Sequence, residues 1–208
     1  MEETLGMARS ARYRVKLRRR REGKTDYQAR KAMVVSGKPR LVVRNSLKNA
    51  SAQIIAAKTH GDEVLAAAHS HELKKFDWKA STGNIPSAYL TGLLCGLRAK
   101  KAGVEEAVLD IGLVPPTKGS RLFAVLSGVV DAGVEVPFDE EKLVKDRLNG
   151  YHIAIYAKKL GAGSEGYSAK FAGYLSREST PEKIAEIFSQ VKDSIVKSFK
   201  NEGKHDVT

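Results

Sequence analysis

A run of basic side chains near the N-terminus is the strongest chemical signal in the sequence. Arg18 to Arg21 are consecutive, and they lie in a longer basic segment between Arg12 and Tyr27. Like charges this close repel one another, so a polyanionic partner would relieve a repulsion that folding alone does not explain. Tyr13 and Tyr27 bracket the arginines and could stack on unpaired bases. The pattern favours nucleic acid; a solvated basic tail, a nuclear-import signal or a targeting peptide are the alternatives.

The positive charge is concentrated at one end of the 208-residue chain. The whole chain has a net charge of +12, with 36 Lys and Arg against 24 Asp and Glu. Residues 1–48 contain 15 of the basic residues and 4 of the acidic ones, so their net charge is +11. The rest of the chain is close to neutral. We therefore expect a basic arm attached to a domain that folds by ordinary burial of apolar side chains.

Cysteine content and hydropathy exclude several classes of protein. The single cysteine, Cys95, excludes an intramolecular disulfide and any multi-cysteine zinc module. The longest apolar stretch, residues 85–97, is too short to span a bilayer, and no signal-peptide pattern follows Met1. The sequence predicts a cytoplasmic protein with no membrane partner, no small-molecule substrate and no cofactor.

One carboxylate, Asp110, lies inside an apolar strand pattern, where it must be hydrogen-bonded or charged for a purpose. A metal-dependent ribonuclease would need several carboxylates converging on divalent ions. Asp62, Glu63, Glu72 and Asp77 cluster near another turn and strand end, not obviously beside Asp110. We expect Asp110 to be a structural carboxylate satisfied by loop amides. A ribonuclease with a basic substrate-binding arm is the alternative function.

Other polar groups carry weaker signals. His69 and His71 would share one face of a strand, but no pattern supplies a third metal ligand, so we expect no metal site. Two short segments, Thr82–Asn84 and Lys118–Ser120, place small polar residues before helices. They could bind phosphate through backbone amides or could be ordinary helix caps, and the sequence leaves that choice open. A regulatory DNA binder is disfavoured because no helix-turn-helix or zinc pattern is present.

Hydrophobic periodicity predicts the elements that position these residues. The first strand should point Leu41 and Val43 to one face and Arg40, Val42 and Arg44 to the other. The expected order is a helix capped by Thr25 and ending near Val35, strands Arg40–Ser46, Ala52–Lys58 and Val64–Ser70, helix Ile85–Lys101 capped by Asn84, strand Ala107–Leu113, helix Ser120–Ala132 and strand Val134–Val136. This pattern predicts an α/β fold, a three-stranded antiparallel meander plus αβαβ, with a mixed sheet covered by helices.

The last third of the chain is predicted to be a helical extension. Helices are expected at Asp139–Leu148 and Tyr151–Leu160, a loop at 161–176, and an amphipathic helix that begins at Thr180-Pro181. The predicted division is therefore a basic arm with a short helix at 1–37, an α/β core at 38–137 and the extension at 138–208. What the extension packs against is left open. Gly92 and Gly96 indicate close helix–sheet packing.

Eight stretches, in order along nearly the whole chain, match the pattern of a known family. They are RRRREGKTDY at Arg18–Tyr27, GKPRLVVRNS at Gly37–Ser46, AQII at Ala52–Ile55, WKASTGNIPSAYLTGLL at Trp78–Leu94, AVLDIGL at Ala107–Leu113, PTKGSRLFAVLSGVVDAGVEVP at Pro116–Pro137, HIAIYAKKL at His152–Leu160 and TPEKIAEIF at Thr180–Phe188. With these stretches the sequence resembles the archaeal and eukaryotic-type large-ribosomal-subunit proteins of universal family eighteen, which bind 5S ribosomal RNA. Because the match extends over nearly the whole chain, it is far more specific than any one motif.

The resemblance implies a non-enzymatic ribosomal protein of the central protuberance. It implies a ribonuclease H-like arrangement without catalytic carboxylates, and three kinds of partner: 5S rRNA, 23S-type rRNA and neighbouring large-subunit proteins. The implied RNA contacts are Arg12, Arg14, Arg18, Arg19, Arg20, Arg21, Lys24, Thr25, Tyr27, Arg40, Arg44, Ser46 and Lys48, with Thr82 and Asn84 as weaker candidates. Two features depart from the family pattern. Met1–Gly6 form an extra leader, so either Met7 is the natural start or the leader is dispensable, and Lys16-Leu17 replace an expected Pro-aromatic pair.

Overall fold

The computed structural model describes residues 12–202, with side chains described as far as residue 200. The hypothesis about Met1–Gly6 and Met7 therefore lies outside the described residues. The elements in chain order are α1 (Arg18–Arg21), α2 (Tyr27–Val35), β1 (Arg40–Asn45), β2 (Ala50–Lys58), β3 (Gly61–His69), α3 (Ile85–Lys101), β4 (Val108–Asp110), α4 (Arg121–Asp131), α5 (Lys145–Leu148), α6 (Tyr151–Leu160), α7 (Glu165–Leu175) and α8 (Ile184–Glu202). Short 3-10 segments lie at Ser70–Phe76, Glu140–Lys142 and Pro181–Lys183.

The strands form one open mixed sheet in the order β3-β2-β1-β4. The first three strands are antiparallel, and β4 pairs in parallel with β1. This confirms the predicted α/β class and the antiparallel meander. The predicted strand Ala107–Leu113 is reduced to three residues, since Gly112 has a φ of +67° that ends the extended backbone.

The predicted last strand, Val134–Val136, is wrong for the described part of the chain. The segment makes only an isolated parallel bridge between Glu106 and Glu135. Val134 and Val136 are buried, which explains the apolar pattern, but Pro137 follows them and lacks the N–H that a longer ladder would need. The segment contributes to the core without extending the sheet.

Helices α3 and α4 cover the face of the sheet that carries Leu41 and Val43, both fully buried as predicted. The two helices approach closely where glycines replace larger residues. A Cβ atom on Gly92 would lie 2.7 Å from the carbonyl carbon of Val125, and a Cβ on Gly128 would lie 2.6 Å from the backbone nitrogen of Leu93. The predicted helix–sheet role of Gly92 is therefore wrong: the glycines allow helix–helix contact.

Helices α2 and α3 each begin at a residue whose side chain accepts hydrogen bonds from backbone amides of the first turn. The Asn84 side chain caps α3 by accepting from the Ser87 amide at 2.8 Å, as predicted. The cap of α2 is Asp26 rather than the predicted Thr25, because the Asp26 carboxylate accepts from the amides of Gln28 and Ala29. Before α2, residues Arg18–Arg21 form the single turn α1, an element that the sequence pattern did not predict.

The C-terminal region differs from its prediction in two places. The expected helix Asp139–Leu148 is interrupted, since Leu143 and Val144 adopt non-helical backbone angles and are partly buried. The expected loop at 161–176 contains α7, where Ser164 caps the helix. The glycines in this segment favoured a loop, but Tyr167, Phe171 and Tyr174 have the spacing of one face of a helix.

Helix α8 packs on the main core and so answers the question that the sequence left open. Its apolar stripe from Ile184 to Ile195 belongs to the same hydrophobic cluster as α3 and the sheet. The Tyr89 and Phe188 rings are 5.3 Å apart, and Lys192 Nζ donates to the Tyr89 hydroxyl at 2.7 Å. The predicted amphipathic helix beginning at Thr180-Pro181 is confirmed, with a short 3-10 turn before it.

Candidate nucleic-acid interface

The basic arm presents its cations to solvent. Every basic residue from Arg12 to Lys24 is exposed. Within the described residues their ionic contacts are limited to Glu22, which lies 3.6 Å from Arg18 and 2.9 Å from Lys24. Arg19 Nε donates to the Thr25 hydroxyl at 2.8 Å, which orients the end of α1. Exposed ion pairs of this kind are weak, so these side chains are free to exchange them for phosphate.

Arg40, a predicted RNA contact, is buried, with 2% of its surface exposed. Its guanidinium donates to Asp110 at 3.0 Å and to Asp62 at 2.9 Å. Two carboxylates therefore occupy the terminal nitrogens that would bind a phosphate. Arg44, on the same face of β1, is 47% exposed and donates to the other Asp110 oxygen at 2.9 Å. The terminal nitrogens of Arg44 are also engaged, by Asp110 and by the Val43 carbonyl, so its exposure is what makes it the more accessible of the two arginines.

Asp62 connects the arm to the sheet, a role that the sequence did not reveal. One terminal nitrogen of Arg30 on α2 contacts both Asp62 oxygens, at 2.9 and 2.8 Å. Burial tends to raise the pKa of Asp62, but the hydrogen bonds from Arg30 and Arg40 outweigh it and hold that pKa below its usual value. The carboxylate is thus charged and engaged from both sides. Arg30 is a site residue that sequence reasoning missed, because nothing local to α2 indicates its partner.

The two carboxylates on this face of the sheet, Asp110 and Asp62, are both held by arginines. Asp110 is hydrogen-bonded within the protein, but instead of the several loop amides expected its partners are mainly Arg40 and Arg44, with a single loop amide, that of Gly112, at 2.9 Å. A divalent ion would have to displace arginines from both Asp110 and Asp62. Within the described residues, no group of three or more His, Cys, Asp or Glu is arranged to hold a metal.

The histidine pair has a local structural role. Strand β3 ends at His69, so His71 does not share its strand face as expected. His69 Nδ1 accepts from the His71 amide at 3.2 Å, and Glu72 accepts from the His69 amide at 2.8 Å. These bonds form a capping box for the 3-10 segment that follows.

The turn between β1 and β2 is a second exposed feature, held by neighbouring backbone. Leu47 is 96% exposed, and Lys48 beside it is exposed as well. The Thr82 hydroxyl donates to the Lys48 carbonyl at 2.8 Å, and Arg121 donates to the Ser46 carbonyl at 2.8 Å. Thr82 and the cap residue Asn84 therefore support the turn and α3, while Ser46 and Lys48 lie at the surface.

The comparison with known proteins agrees with this geometry. The model of a family described as ribosomal large subunit proteins 60S L5 and 50S L18 matches residues 11–104 and 98–139. The chain belongs to this family. It is also 54% identical over 202 residues to large ribosomal subunit protein uL18 of Caldivirga maquilingensis, covering 95% of this chain and 98% of that protein.

Membership of the 60S L5 and 50S L18 family confirms the resemblance drawn from the motifs. It identifies the chain as a protein of the large subunit of the cytoplasmic ribosome, a ribonucleoprotein component that acts in translation with rRNA and ribosomal proteins as partners. The family match covers the arm, the sheet, α3 and α4. Within residues 12–202, no helix has both the length and the apolar character needed to cross a membrane.

Proposed function

We propose that the chain binds 5S rRNA and helps to attach it to 23S-type rRNA in the central protuberance, beside neighbouring large-subunit proteins. The observation that carries the proposal is the arm. Residues 12–24 contain eight Lys and Arg and one carboxylate, and all eight cations are exposed. Phosphate neutralisation by such a segment supplies much of the affinity of a protein for RNA.

The proposed RNA surface contains the predicted contacts that are exposed or partly exposed. Arg44, Ser46 and Lys48 continue the surface along β1 and its exit. Tyr27 is partly buried at the start of α2 and can stack on a base. Thr82 and Asn84 act indirectly, since their polar groups hold the turn and a helix end, and the terminal nitrogens of Arg40 hold carboxylates rather than phosphate. The arm members are Arg12, Arg14, Arg18, Arg19, Arg20, Arg21, Lys24 and Thr25.

We propose a division of roles that follows the predicted segments. Residues 1–37 neutralise phosphate, residues 38–137 fix the orientation of the bound RNA, and residues 138–208 brace the core through α8. The role is structural and non-enzymatic, which membership of a ribosomal protein family supports. A ribonuclease is not favoured, because arginines occupy both carboxylates of the sheet face.

Binding to labelled 5S rRNA, in competition with an unlabelled RNA of equal length and reversed sequence, tests the proposal. We expect the reversed RNA to compete poorly at moderate salt, where non-specific phosphate contacts weaken. Removing residues 1–24 should greatly reduce binding while the circular dichroism of the core is retained, because the described part of this segment, residues 12–24, buries no side chain. Equal competition by the two RNAs would contradict 5S specificity. Magnesium-dependent cleavage of the RNA that Asp110→Asn abolishes would replace the structural role by the enzymatic one.

A further inference from the structure

We propose that one unpaired nucleotide of the bound RNA occupies the cleft between the arm and the outer face of the sheet, the face that carries Arg40, Val42 and Arg44. This inference rests on the proposed RNA binding and adds a defined site for a base and its phosphate. The arm–sheet cleft lies between α2 and the strands β1, β2 and β4, and its volume is about 550 Å³. Sites for small ligands typically have volumes of about 300–1,000 Å³, so the cleft is large enough for a nucleotide.

The inner surface of the arm–sheet cleft suits a flat base. Val42 and Ile55 supply apolar surface from the sheet, and Ala29 and Met33 supply it from α2. Tyr27 lines the same cleft and is partly buried. A base can lie on the aliphatic side chains and stack on the Tyr27 ring, as unpaired bases do on aromatic side chains in many RNA-binding proteins.

The charges around the arm–sheet cleft suit a phosphate. Five cations and three carboxylates line it, which leaves an excess of positive charge. The carboxylates are bonded within the protein. Lys24 pairs with Glu22 and Arg44 with Asp110, but both cations remain exposed to solvent. The lining cations are Arg19, Lys24, Arg30, Arg40 and Arg44, and the carboxylates are Asp26, Asp62 and Asp110.

A buried donor without an acceptor points to a ligand independently of the shape and charge. Arg40 lines the arm–sheet cleft, yet its Nε is buried and has no hydrogen-bond partner among the described residues. A buried N–H that lacks an acceptor is costly, and native structures rarely keep one. Carbonyl oxygens and ring nitrogens at the edge of a base are suitable acceptors. At the Watson–Crick edge these acceptors are available in an unpaired nucleotide and taken in a base pair, so a base that offers this edge to Arg40 must be unpaired.

Filling the arm–sheet cleft without changing charge tests the inference. Ala29→Trp places a large side chain in the cleft, and Ala32→Trp makes the same change at an exposed position of α2 outside the lining. No α2 residue is buried in the hydrophobic core, so both variants should fold. The probes are a fully paired RNA hairpin and the same hairpin with one bulged nucleotide. We expect the unmodified protein and Ala32→Trp to bind the bulged hairpin about 10-fold more tightly, and Ala29→Trp to bind both hairpins equally.

Methyl NMR reports directly on occupancy of the arm–sheet cleft. The methyl signals of Met33, Val42 and Ile55 should shift with the bulged hairpin and stay in place with the paired one. The nucleotide in the cleft could belong to RNA or be a free nucleotide, and nucleoside 5′-monophosphates separate these two sources. If they bind more weakly than the bulged hairpin, an RNA nucleotide is supported; if they bind more tightly, the proposal of an RNA nucleotide is overturned.

The outcomes for this site and for 5S binding are distinguishable. Equal affinities of the unmodified protein for both hairpins, with unchanged methyl signals, overturn the nucleotide site whether or not 5S rRNA is preferred. A preference for the bulge that only Ala29→Trp removes supports the site, even if the reversed-sequence RNA competes fully with 5S rRNA. Full competition by the reversed-sequence RNA would refute only the proposed 5S specificity.

Discussion

Replacing Arg18–Arg21 with four glutamines should change the salt dependence of RNA binding by a calculable amount. All four guanidinium groups are exposed, and the contacts of Arg18 and Arg19 with Glu22 and Thr25 are exposed and weak. Gln has nearly the helix propensity of Arg, so the turn α1 can be retained. The variant therefore removes four phosphate contacts and little else.

The magnitude follows from the number of cations on the arm. Each neutralised phosphate contributes about −0.7 to −0.9 to the slope of log K against log salt. If all eight cations of residues 12–24 engage phosphate, this part of the arm contributes a slope of about −6 to −7, and the variant should retain about half of it. Between about 50 and 200 mM salt, the arm's contribution to affinity should then fall by about three to four orders of magnitude, and by about two in the variant.

Fluorescence anisotropy with labelled 5S rRNA measures these slopes, and a charge-matched variant separates location from net charge. Glutamine at Lys158, Lys159, Lys170 and Lys183 also removes four exposed cations, from the C-terminal helices. Its slope should differ from that of the unmodified protein by less than about 1. If the two variants lower the slope equally, binding depends on overall charge and the arm has no special role. An unchanged slope after the Arg18–Arg21 substitution would refute the reasoning outright.

Three further predictions concern the fold that supports the arm. Gly92→Ala should lower the free energy of unfolding, measured by urea denaturation, by about 1–3 kcal/mol or more, because the added Cβ would force α3 and α4 apart. The control Gly173→Ala, at an uncrowded position of α7, should be neutral or stabilising by up to about 1 kcal/mol. Burial tends to raise the pKa of Asp62 and of Glu72, but hydrogen bonds from arginines outweigh it and hold both pKa values below their ordinary 3.8 and 4.5. The arginines are Arg30 and Arg40 for Asp62, and Arg98 for Glu72. Both carboxylates therefore stabilise the fold at neutral pH. That stability should be lost as the pH falls below these ordinary values, and a flat urea midpoint from pH 7 to strongly acidic solution would contradict it. Burial raises the pKa of the Cys95 thiol to about 12, so a thiol reagent at neutral pH should modify it only when the protein is unfolded.

Local patterns predicted the long elements well, and the reasons are visible in individual residues. The bounds of α3 were predicted correctly because its leucine stripe, the Asn84 cap and Gly103 agree with one another. The two faces of β1 were predicted correctly because strand alternation depends only on neighbours in the sequence. Helix α7 was missed because its glycines argued for a loop, although three aromatic residues kept helical spacing.

The charged partners of the candidate site could not be predicted from the sequence. Asp62 and Asp110 are far apart in the chain and become neighbours only through Arg40, when β3, β2, β1 and β4 assemble. Periodicity assigned Arg40 to the correct face of the strand but could not show whether that face would be open or filled by carboxylates. The arm, by contrast, was predictable as a solvent-exposed polycation because its role needs no tertiary partner.

Burying Arg40 has a consequence for RNA binding beyond the engagement of its terminal nitrogens by carboxylates. Two carboxylates on the face beside the arm would repel an approaching polyanion, and desolvating them unpaired would be costly. Three arginines, Arg30, Arg40 and Arg44, neutralise both groups and leave a local excess of one positive charge. The carboxylates are thereby prevented from drawing arm cations away from phosphate. Since Arg30 belongs to α2, the same ion pairs attach the end of the arm to the sheet, so the arm–sheet cleft exists before RNA arrives and a nucleotide need not create it.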